Sequence, residues 1–543
     1  MAIVPTVDSA LEISSKLSAF KSKSRPPSSR QQLFYSVAVE KYVGIGPSLF
    51  VHLRKTAEEG CDLVWLLALY AAHSVLVLAL ALRSVYRPTN ALAWVICCMF
   101  VPVIGLILYV VLARPVSIRR ARLADDSSEG SLSLLSTPAD SALRGLVGVE
   151  QAMARLSGGT ARPGTVRILP SGEETYAALF EALESATSSI AAEYYIIRND
   201  PVGQTFLSIL ARKAAAGVSV RLLVDGIGSM RVVRSQLPKL AGVGVDCRVV
   251  FPFQFPWLRP GINHRDHCKI VVIDGSIGYI GGINIGLEYT GHKPGVGPWR
   301  DTHAQVSGQA VQGLASVFEL NWSVGRPVSA GRSSRRTLKD REQWLSGIPD
   351  YRPPTLRPMD GIQAFMQTVE SGPDRPVRTV QALYFMCLTQ AKRTVDMVTP
   401  YFVPDTDLTM AMKLAVARGV RVRLLVPEHC DHRVVGLAAR TFFAELAKAG
   451  VELWLYGAQL LHAKVVVVDG ALSVLGASNF DLRSFRLNYE VCQVVYGEAA
   501  AEELTKQFEA DLADAHQVNV EEIQELLPVG ILERGARLLA PLL

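Results

Sequence analysis

Histidine, lysine and asparagine recur at one fixed spacing in two places along the chain. In each place lysine follows histidine by two positions, aspartate by seven and asparagine by seventeen. The first set is His267, Lys269, Asp274 and Asn284, and the second is His462, Lys464, Asp469 and Asn479. The 543 residues include only 10 histidines, so chance would rarely place two of them in matched frames. The duplication indicates one composite site suited to phosphodiester transfer with a covalent step.

These residue types fit the chemistry of a phosphodiester. The diester is an anion that repels anionic nucleophiles, so a neutral imidazole is a suitable attacking group. Lysines and asparagine amides can stabilise the negative charge that spreads over the non-bridging oxygens in the transition state. A second, protonated imidazole can donate to the leaving alkoxide and later accept a proton from the incoming alcohol. The candidate catalytic residues are His267, Lys269, Asp274, His462, Lys464 and Asp469, and the candidate substrate-binding residues are Asn284, Ser478 and Asn479.

The positions of the two aspartates indicate where they lie in the fold. The alternation of a β-strand places each histidine and its lysine on one face and the aspartate on the other. Asp274 and Asp469 are each followed by glycine, which is typical of a hairpin turn. This pattern favours a supporting position in a turn over direct participation.

A histidine that acts as nucleophile or base also needs a partner for its second ring nitrogen. Glu490 lies twenty-eight residues after His462, and Asp301 lies thirty-four residues after His267. We therefore assign Glu490 to His462 and Asp301 to His267 as orienting partners. The alternative for each acid is a surface carboxylate on a strand.

The charges near each histidine in the sequence predict different roles for the two histidines. Arg265 lies beside His267 in the chain, Lys269 follows it and Arg300 is placed near it. Nearby cations lower the pKa of an imidazole and keep it neutral. His462 is preceded by a segment without cations. We expect His267 to be the nucleophile and His462 to be the general acid.

Each histidine set lies within a longer repeat. Residues 217–224 return 202 positions later as residues 419–426, with seven of eight identical. Helical apolar patterns alternate with short β-branched runs in both copies, which predicts two similar α/β lobes. The predicted organisation is a largely disordered extension over 1–60, two transmembrane helices over 61–115, a linker over 116–163, a first lobe over 164–328, a basic linker over 329–360 and a second lobe over 361–543.

Two apolar runs precede the repeats. Residues 63–82 and 91–113 contain no Asp, Glu, Lys or Arg, and about twenty apolar residues suffice to cross a bilayer. They predict a two-helix transmembrane anchor, with buried core helices as the alternative. Arginines flank the outer ends of the pair, so we expect a multi-pass protein of the cell membrane with its lobes in the cytoplasm.

The composition argues against several other partners. The eight cysteines show no metal-ligand spacing, so we expect no metal and no other cofactor. A net charge of +6 is only mildly basic, which argues against nucleic acid. The sequence gives no signal for the oligomeric state.

The two H-x-K-x4-D motifs, each followed by a glycine- and asparagine-containing element, resemble those of the phospholipase D superfamily. Within it, the chain is similar to bacterial cardiolipin synthases over about residues 60–543. The segments that carry this similarity are 87–94, 193–195, 281–289, 299–303, 399–405 and 478–484. The resemblance implies two phospholipase D-like lobes related by a pseudo-twofold, with the active site at their interface. It also implies phosphatidyl transfer through a phosphohistidine, in which two phosphatidylglycerols give cardiolipin and glycerol.

Three other functions remain open at the level of sequence. A phospholipase D-type hydrolase, or another phosphatidyltransferase of the superfamily, would use the same residues with a different acceptor. A nuclease is disfavoured by the two apolar runs. A catalytically inactive lipid-binding module would be expected to have lost a histidine or lysine, and both sets are complete.

Overall fold

The computed structural model describes residues 146–253, 263–329, 361–526 and 529–538, with the exception of residues 296 and 376. It also describes residues 351, 353 and 354 and parts of 65–109. The chain divides into two units, residues 1–109 and 110–543. The predicted extension over 1–60 and most of the predicted basic linker over 329–360 lie outside the described residues.

The first unit contains the described parts of the two apolar runs. Residues 69–77 are helical, and a further helix spans Pro88–Phe100. Within the described part of the chain, no helix combines the length and the apolar character needed to cross a membrane. Both predicted spans, 63–82 and 91–113, include residues that lie outside this part.

The second unit is built on strands that pair continuously through two lobes. The first lobe contains β1 Arg162–Leu169, β2 Ser189–Tyr194, β3 Ser219–Asp225, β4 Asp246–Val250, β5 Arg265–Asp266, β6 Lys269–Ile273, β7 Ile277–Gly281, β8 Trp299–Arg300, β9 His303–Gly308 and β10 Arg326–Pro327. The second contains β11 Ile362–Ser371, β12 Thr394–Val398, β13 Phe402–Val403, β14 Arg421–Pro427, β15 Glu452–Tyr456, β16 Leu460–Leu461, β17 Val465–Val468, β18 Leu472–Gly476, β19 Phe480–Asp481, β20 Asn488–Tyr496 and β21 Ala515–Val518.

The two lobes correspond strand for strand. Neighbours follow the order β10, β4, β3, β2, β6, β7, β9, β1 in the first lobe and β21, β15, β14, β12, β17, β18, β20, β11 in the second. The equivalent strands β1 and β11 meet antiparallel where the lobes join. A pseudo-twofold relation between the copies pairs equivalent strands in opposite directions, as seen here. The strands and helices of both lobes confirm the predicted α/β class.

Helices cover the strands in both lobes. The first lobe has helices Gly172–Ser185, Pro201–Ala215, Met230–Ser235, Leu237–Gly242 and Val311–Trp322 and a 3-10 turn at Leu287–Thr290. The second has helices Thr379–Gln390, Thr406–Ala417, Arg433–Lys448, Leu482–Arg486, Glu498–Ala513, Val520–Leu526 and Ile531–Leu538. Aspartates begin three of them: the side chains of Asp200, Asp405 and Asp481 accept backbone N–H groups of the first turn, which stabilises a helix start.

The apolar core has three parts, and one of them joins the lobes. Val166 and Ile270 of the first lobe are buried in the same cluster as Val467 and Val491 of the second. The helix Val147–Ser157 lies within the predicted linker, and its Met153 is fully buried in the core of the second lobe. The prediction of a linker over residues 116–163 is therefore wrong for this helix.

Candidate active site

Each motif histidine is hydrogen-bonded to a carboxylate from the other lobe. His267 Nδ1 lies 3.1 Å from Glu490 Oε2, and His462 Nδ1 lies 2.6 Å from Asp301 Oδ2. Both carboxylates are completely buried. The prediction that each acid pairs with the histidine of its own copy is wrong, because the two partners are exchanged between the lobes.

Two short strand pairings produce this exchange. Strand β5, just before His267, pairs with the start of β20, which carries Glu490. Strand β16, just before His462, pairs with β8, which leads into Asp301. The backbone N–H groups of the two histidines extend these pairings, donating to the carbonyls of Tyr489 at 2.9 Å and Arg300 at 2.7 Å. The lobe interface itself therefore positions both imidazoles.

The motif lysines are buried beside the histidines. Lys269 Nζ donates to the carbonyl of His267 at 2.7 Å, and Lys464 Nζ lies 2.6 Å from His462 Nδ1. Burial lowers the pKa of both lysines to about 8, while Glu490 opposes this effect at Lys269 and Asp301 opposes it at Lys464. Both lysines thus remain largely cationic at neutral pH and place two buried positive charges beside the histidines.

His267 has the electrostatic setting of a neutral nucleophile. Burial lowers its pKa well below the usual value, and Lys269 and Lys464 add to this effect. A neutral ring agrees with the sequence-based prediction, and Lys269 is a cation that it named, but the next cation is Lys464 and not Arg265 or Arg300. Arg300 instead forms two hydrogen bonds of 2.8 Å with Asp511.

The two buried acids differ in charge. Burial raises the pKa of Glu490 to about 7, with Lys269 opposing the rise. Burial also acts to raise the pKa of Asp301, but Lys464 and His462 outweigh it and the pKa is lowered. The pKa of His462 is itself lowered by burial and Lys464, and Asp301 opposes that shift. The ionised Asp301 therefore favours a proton on His462 more than Glu490 does on His267.

The two motif asparagines differ in their contacts. Asn284 Oδ1 accepts the N–H of Ile196 at 3.1 Å, and its Nδ2 donates to the hydroxyl of Tyr289 at 2.9 Å. Asn479 Oδ1 is buried and has no hydrogen-bond partner among the described residues. Ser478 Oγ donates to the backbone carbonyl of Asn479 at 3.2 Å. Both ends of the Asn284 amide are thus used by the protein, whereas Asn479 retains an acceptor that the described fold does not use.

Asp274 and Asp469 belong to the support of the sheet. Both have φ near +50°, in the left-handed region used by turns. The Asp274 carboxylate accepts the backbone N–H groups of residues 187–189, and the Asp469 carboxylate accepts those of residues 392–394. These contacts correct their place in the candidate catalytic set: each holds the start of a neighbouring strand, as the turn interpretation expects.

Three aromatic rings complete the surroundings of the histidines. The ring centroid of Tyr195 lies 5.0 Å from that of His267. Trp299 and Tyr401 lie 5.2 Å and 6.2 Å from His462. No spacing in the sequence marks these aromatics as site residues, although each lies in a segment that carries the family resemblance.

One group of metal-ligand types lies next to the site in the described part of the chain. Ligand atoms of Glu193, Asp266 and Cys268 lie within 4.8 Å of one another. Asn321 Nδ2 donates to Glu193 Oε1 at 2.6 Å and lies 3.6 Å from Cys268 Sγ. Asp266 Oδ1 accepts the N–H of Cys268 at 3.3 Å. The protein itself thus supplies contacts to all three side chains.

The chain matches a known family over both lobes. The family model described as "Cardiolipin synthase, PLD-like domain" matches residues 179–293 and 384–512. A cardiolipin synthase of Geobacillus sp. (strain WCH70) is 40% identical over 378 residues, which cover 69% of this chain and 72% of that protein. A cardiolipin synthase of Geobacillus kaustophilus (strain HTA426) is 35% identical over 491 residues, covering 89% and 94%.

A solved structure shares the fold of the two lobes. The crystal structure of phosphatidylserine synthase from Haemophilus influenzae Rd KW20 superposes with a TM-score of 0.53 at 14% identity. The match covers 74% of this chain and 100% of that one. The two-lobe fold is therefore also found in a protein of low sequence identity.

Proposed function

The chain belongs to the family of cardiolipin synthases with phospholipase D-like domains, and we propose that its composite site transfers a phosphatidyl group from one phosphatidylglycerol to another. The products are cardiolipin and glycerol. The exchanged pairs of histidine and carboxylate, with two buried lysines between the lobes, are the observation that carries this proposal. Membership of the family makes the chain a phosphatidyltransferase, and the residue roles that follow are our inference.

The first half-reaction forms a phosphohistidine. Glu490 holds Nδ1 of His267, which leaves Nε2 as the attacking nitrogen. As the new N–P bond forms, the bond from phosphorus to the glycerol oxygen breaks, and His462 gives its proton to that oxygen. Lys269 and Lys464 stabilise the negative charge on the non-bridging oxygens.

The second half-reaction reverses the proton transfer. The terminal hydroxyl of a second phosphatidylglycerol replaces the departed glycerol, and the now neutral His462 accepts its proton. The hydroxyl oxygen bonds to phosphorus, the N–P bond breaks and His267 is restored. Since two inversions at phosphorus succeed each other, the overall transfer proceeds with retention. No step requires a cofactor.

We also infer that the protein is held at the cell membrane as a multi-pass protein with its lobes in the cytoplasm. The two apolar runs and their arginine flanks support this. A lipid substrate is consistent with such an anchor, and neither nucleic acid nor metal has a role in the proposed reaction.

Trapping the intermediate tests the proposal. The full chain in detergent micelles is mixed with phosphatidylglycerol labelled in its phosphatidyl group and quenched in alkali, and the labelled peptide is mapped. We expect label on His267, with cardiolipin and free glycerol as products. The exposed His516 supplies a control, since His516→Ala should keep full activity. Phosphatidic acid as the main product would make the enzyme a hydrolase, and label on His462 would reverse the two roles.

A further inference from the structure

A cavity of about 400 Å³ lies in the second lobe between helix Arg433–Lys448 and the ends of β13, β14 and β15. Its apolar lining includes Phe402, Val426, Phe443 and Leu455, all at most 5% exposed. This volume lies in the range of pockets that bind small molecules, about 300–1,000 Å³. Apolar walls of this kind favour an aliphatic ligand.

Charged residues stand at the solvent side of this cavity. The lining includes the exposed Arg433 and the half-buried Arg440, and the exposed Glu428 is a carboxylate within it. Arg440 lies 4.0 Å from Glu533 and Arg433 lies at the first turn of its helix. Apolar walls with arginines at the edge match a ligand that joins an aliphatic chain to an anionic head group.

The lining of the cavity adjoins the surroundings of His462. Pro400 and Phe402 line the cavity on either side of Tyr401 in the chain, and the ring of Tyr401 faces His462 at 6.2 Å. The Tyr401 hydroxyl donates to Asp431 at 2.9 Å, next to the lining residue Cys430. The ring nearest the candidate general acid on this side therefore belongs to a segment whose neighbouring residues line the cavity.

Resting on the proposed function, we propose that this cavity binds an acyl chain of the acceptor phosphatidylglycerol. In an in-line displacement the attacking and leaving atoms occupy opposite sides of phosphorus. The nucleophile His267 therefore occupies one side, and the leaving glycerol and then the acceptor hydroxyl occupy the side of His462. The cavity lies in the lobe of His462, so a lipid anchored there presents its head group from the acceptor side. A bound acceptor also competes with water for the phosphohistidine.

Two variants of one helix test this assignment. Leu437 lines the cavity and is half-buried, whereas Val434 is 42% exposed and outside the lining. Leu437→Trp fills the cavity, and Val434→Trp is the matched control. Each full-length variant is loaded with phosphatidyl-p-nitrophenol, and long-chain or dibutyryl phosphatidylglycerol is then added. Loading and transfer are thereby measured separately.

We expect Leu437→Trp to load at the rate of the unchanged chain and to transfer to the long-chain acceptor at least tenfold more slowly, a difference of about 1.4 kcal/mol. Transfer to the dibutyryl acceptor should be unchanged, and Val434→Trp should be unchanged in every step. Slower loading with normal transfer would place the donor's chain in the cavity and overturn the proposal. Equal effects on both acceptors would also overturn it.

A second measurement does not depend on the folding of these variants. Long-chain phosphatidylglycerol with a photoactivatable group at the end of one chain is cross-linked to the unchanged enzyme after loading. We expect label on the peptide that contains residues 428–443, and label elsewhere would contradict the acceptor subsite. A failure of the unchanged chain to form any phosphohistidine would refute the proposed function instead, so the two failures are distinguishable.

Discussion

Replacing each buried carboxylate by its isosteric amide tests the exchange of partners between the lobes. A hydrogen bond to a charged group contributes about 1.5–3 kcal/mol, so Asp301→Asn and Glu490→Gln should lower kcat by about 10- to 150-fold. The two effects should differ in size. The lowered pKa of Asp301 keeps it ionised, whereas Glu490, with a pKa raised to about 7, carries part of a charge at neutral pH. We therefore expect the larger loss for Asp301→Asn.

A donor with an activated leaving group shows which histidine each acid serves. Nitrophenolate leaves phosphatidyl-p-nitrophenol without needing a proton, so the loading step no longer requires a general acid. Loading should therefore recover in His462→Ala and in Asp301→Asn. It should be absent in His267→Ala, which removes the attacking imidazole, and remain slow in Glu490→Gln, which removes the charge that holds this imidazole. Burst kinetics of nitrophenolate release measure the recovery.

The grouping of the variants decides the outcome. If Asp301→Asn behaves like His267→Ala, and Glu490→Gln behaves like His462→Ala, the exchange does not operate in the working enzyme and our reading of the hydrogen bonds is refuted. A different result is that each acid variant still behaves like its bonded histidine, but loading recovers in His267→Ala and Glu490→Gln. The exchange then stands, and the roles of the two histidines are reversed. Thermal unfolding of each variant should show an unchanged Tm, since the amides keep the size and one acceptor of the acids.

Four further outcomes are expected. His267→Ala and His462→Ala should each abolish cardiolipin formation from phosphatidylglycerol, and full activity in either variant would rule out a shared site. Activity should fall as pH rises through about 8, because Lys269 and Lys464 lose their protons there. Replacing both lysines together, Lys269→Arg with Lys464→Arg, should move this limb of the pH profile upward, and an unmoved limb would exclude the two lysines as its cause. Exhaustive chelation should leave activity intact, and a loss restored by added metal would reveal a missed metal site. Asp274→Ala should lower the free energy of unfolding by about 1–3 kcal/mol while the folded fraction still forms phosphohistidine, and loss of the intermediate in folded protein would return this aspartate to the catalytic set.

Local patterns in the sequence predicted the features that depend on local geometry. The glycine after Asp274 predicted a turn, and the residue has φ near +50° in that turn. The family expected from the two motifs is confirmed by the relatives. Buried α/β layers also followed from the alternation of helical and β-branched segments, because periodicity reports which face of an element is covered.

Features that depend on contacts between distant segments were missed. Glu490 is 223 residues from His267, and Asp301 is 161 residues from His462. Nearness in the chain favoured the opposite assignment, and no spacing rule reports which strand of one lobe pairs with which strand of the other. The helix Val147–Ser157 was assigned to a linker for the same reason, since its covered face packs on the distant second lobe.

Because the carboxylates are exchanged, each copy of the repeat depends on the other copy for its histidine site. Neither copy encodes a complete histidine site, because each supplies an imidazole and borrows the acid that holds it. A change in one acid therefore disturbs the histidine that is encoded in the other half of the gene. An ancestor with a single copy would have needed a symmetric homodimer to assemble the same pairs. Fusion of two such copies ends that symmetry, which leaves one half free to specialise in attack and the other in proton transfer.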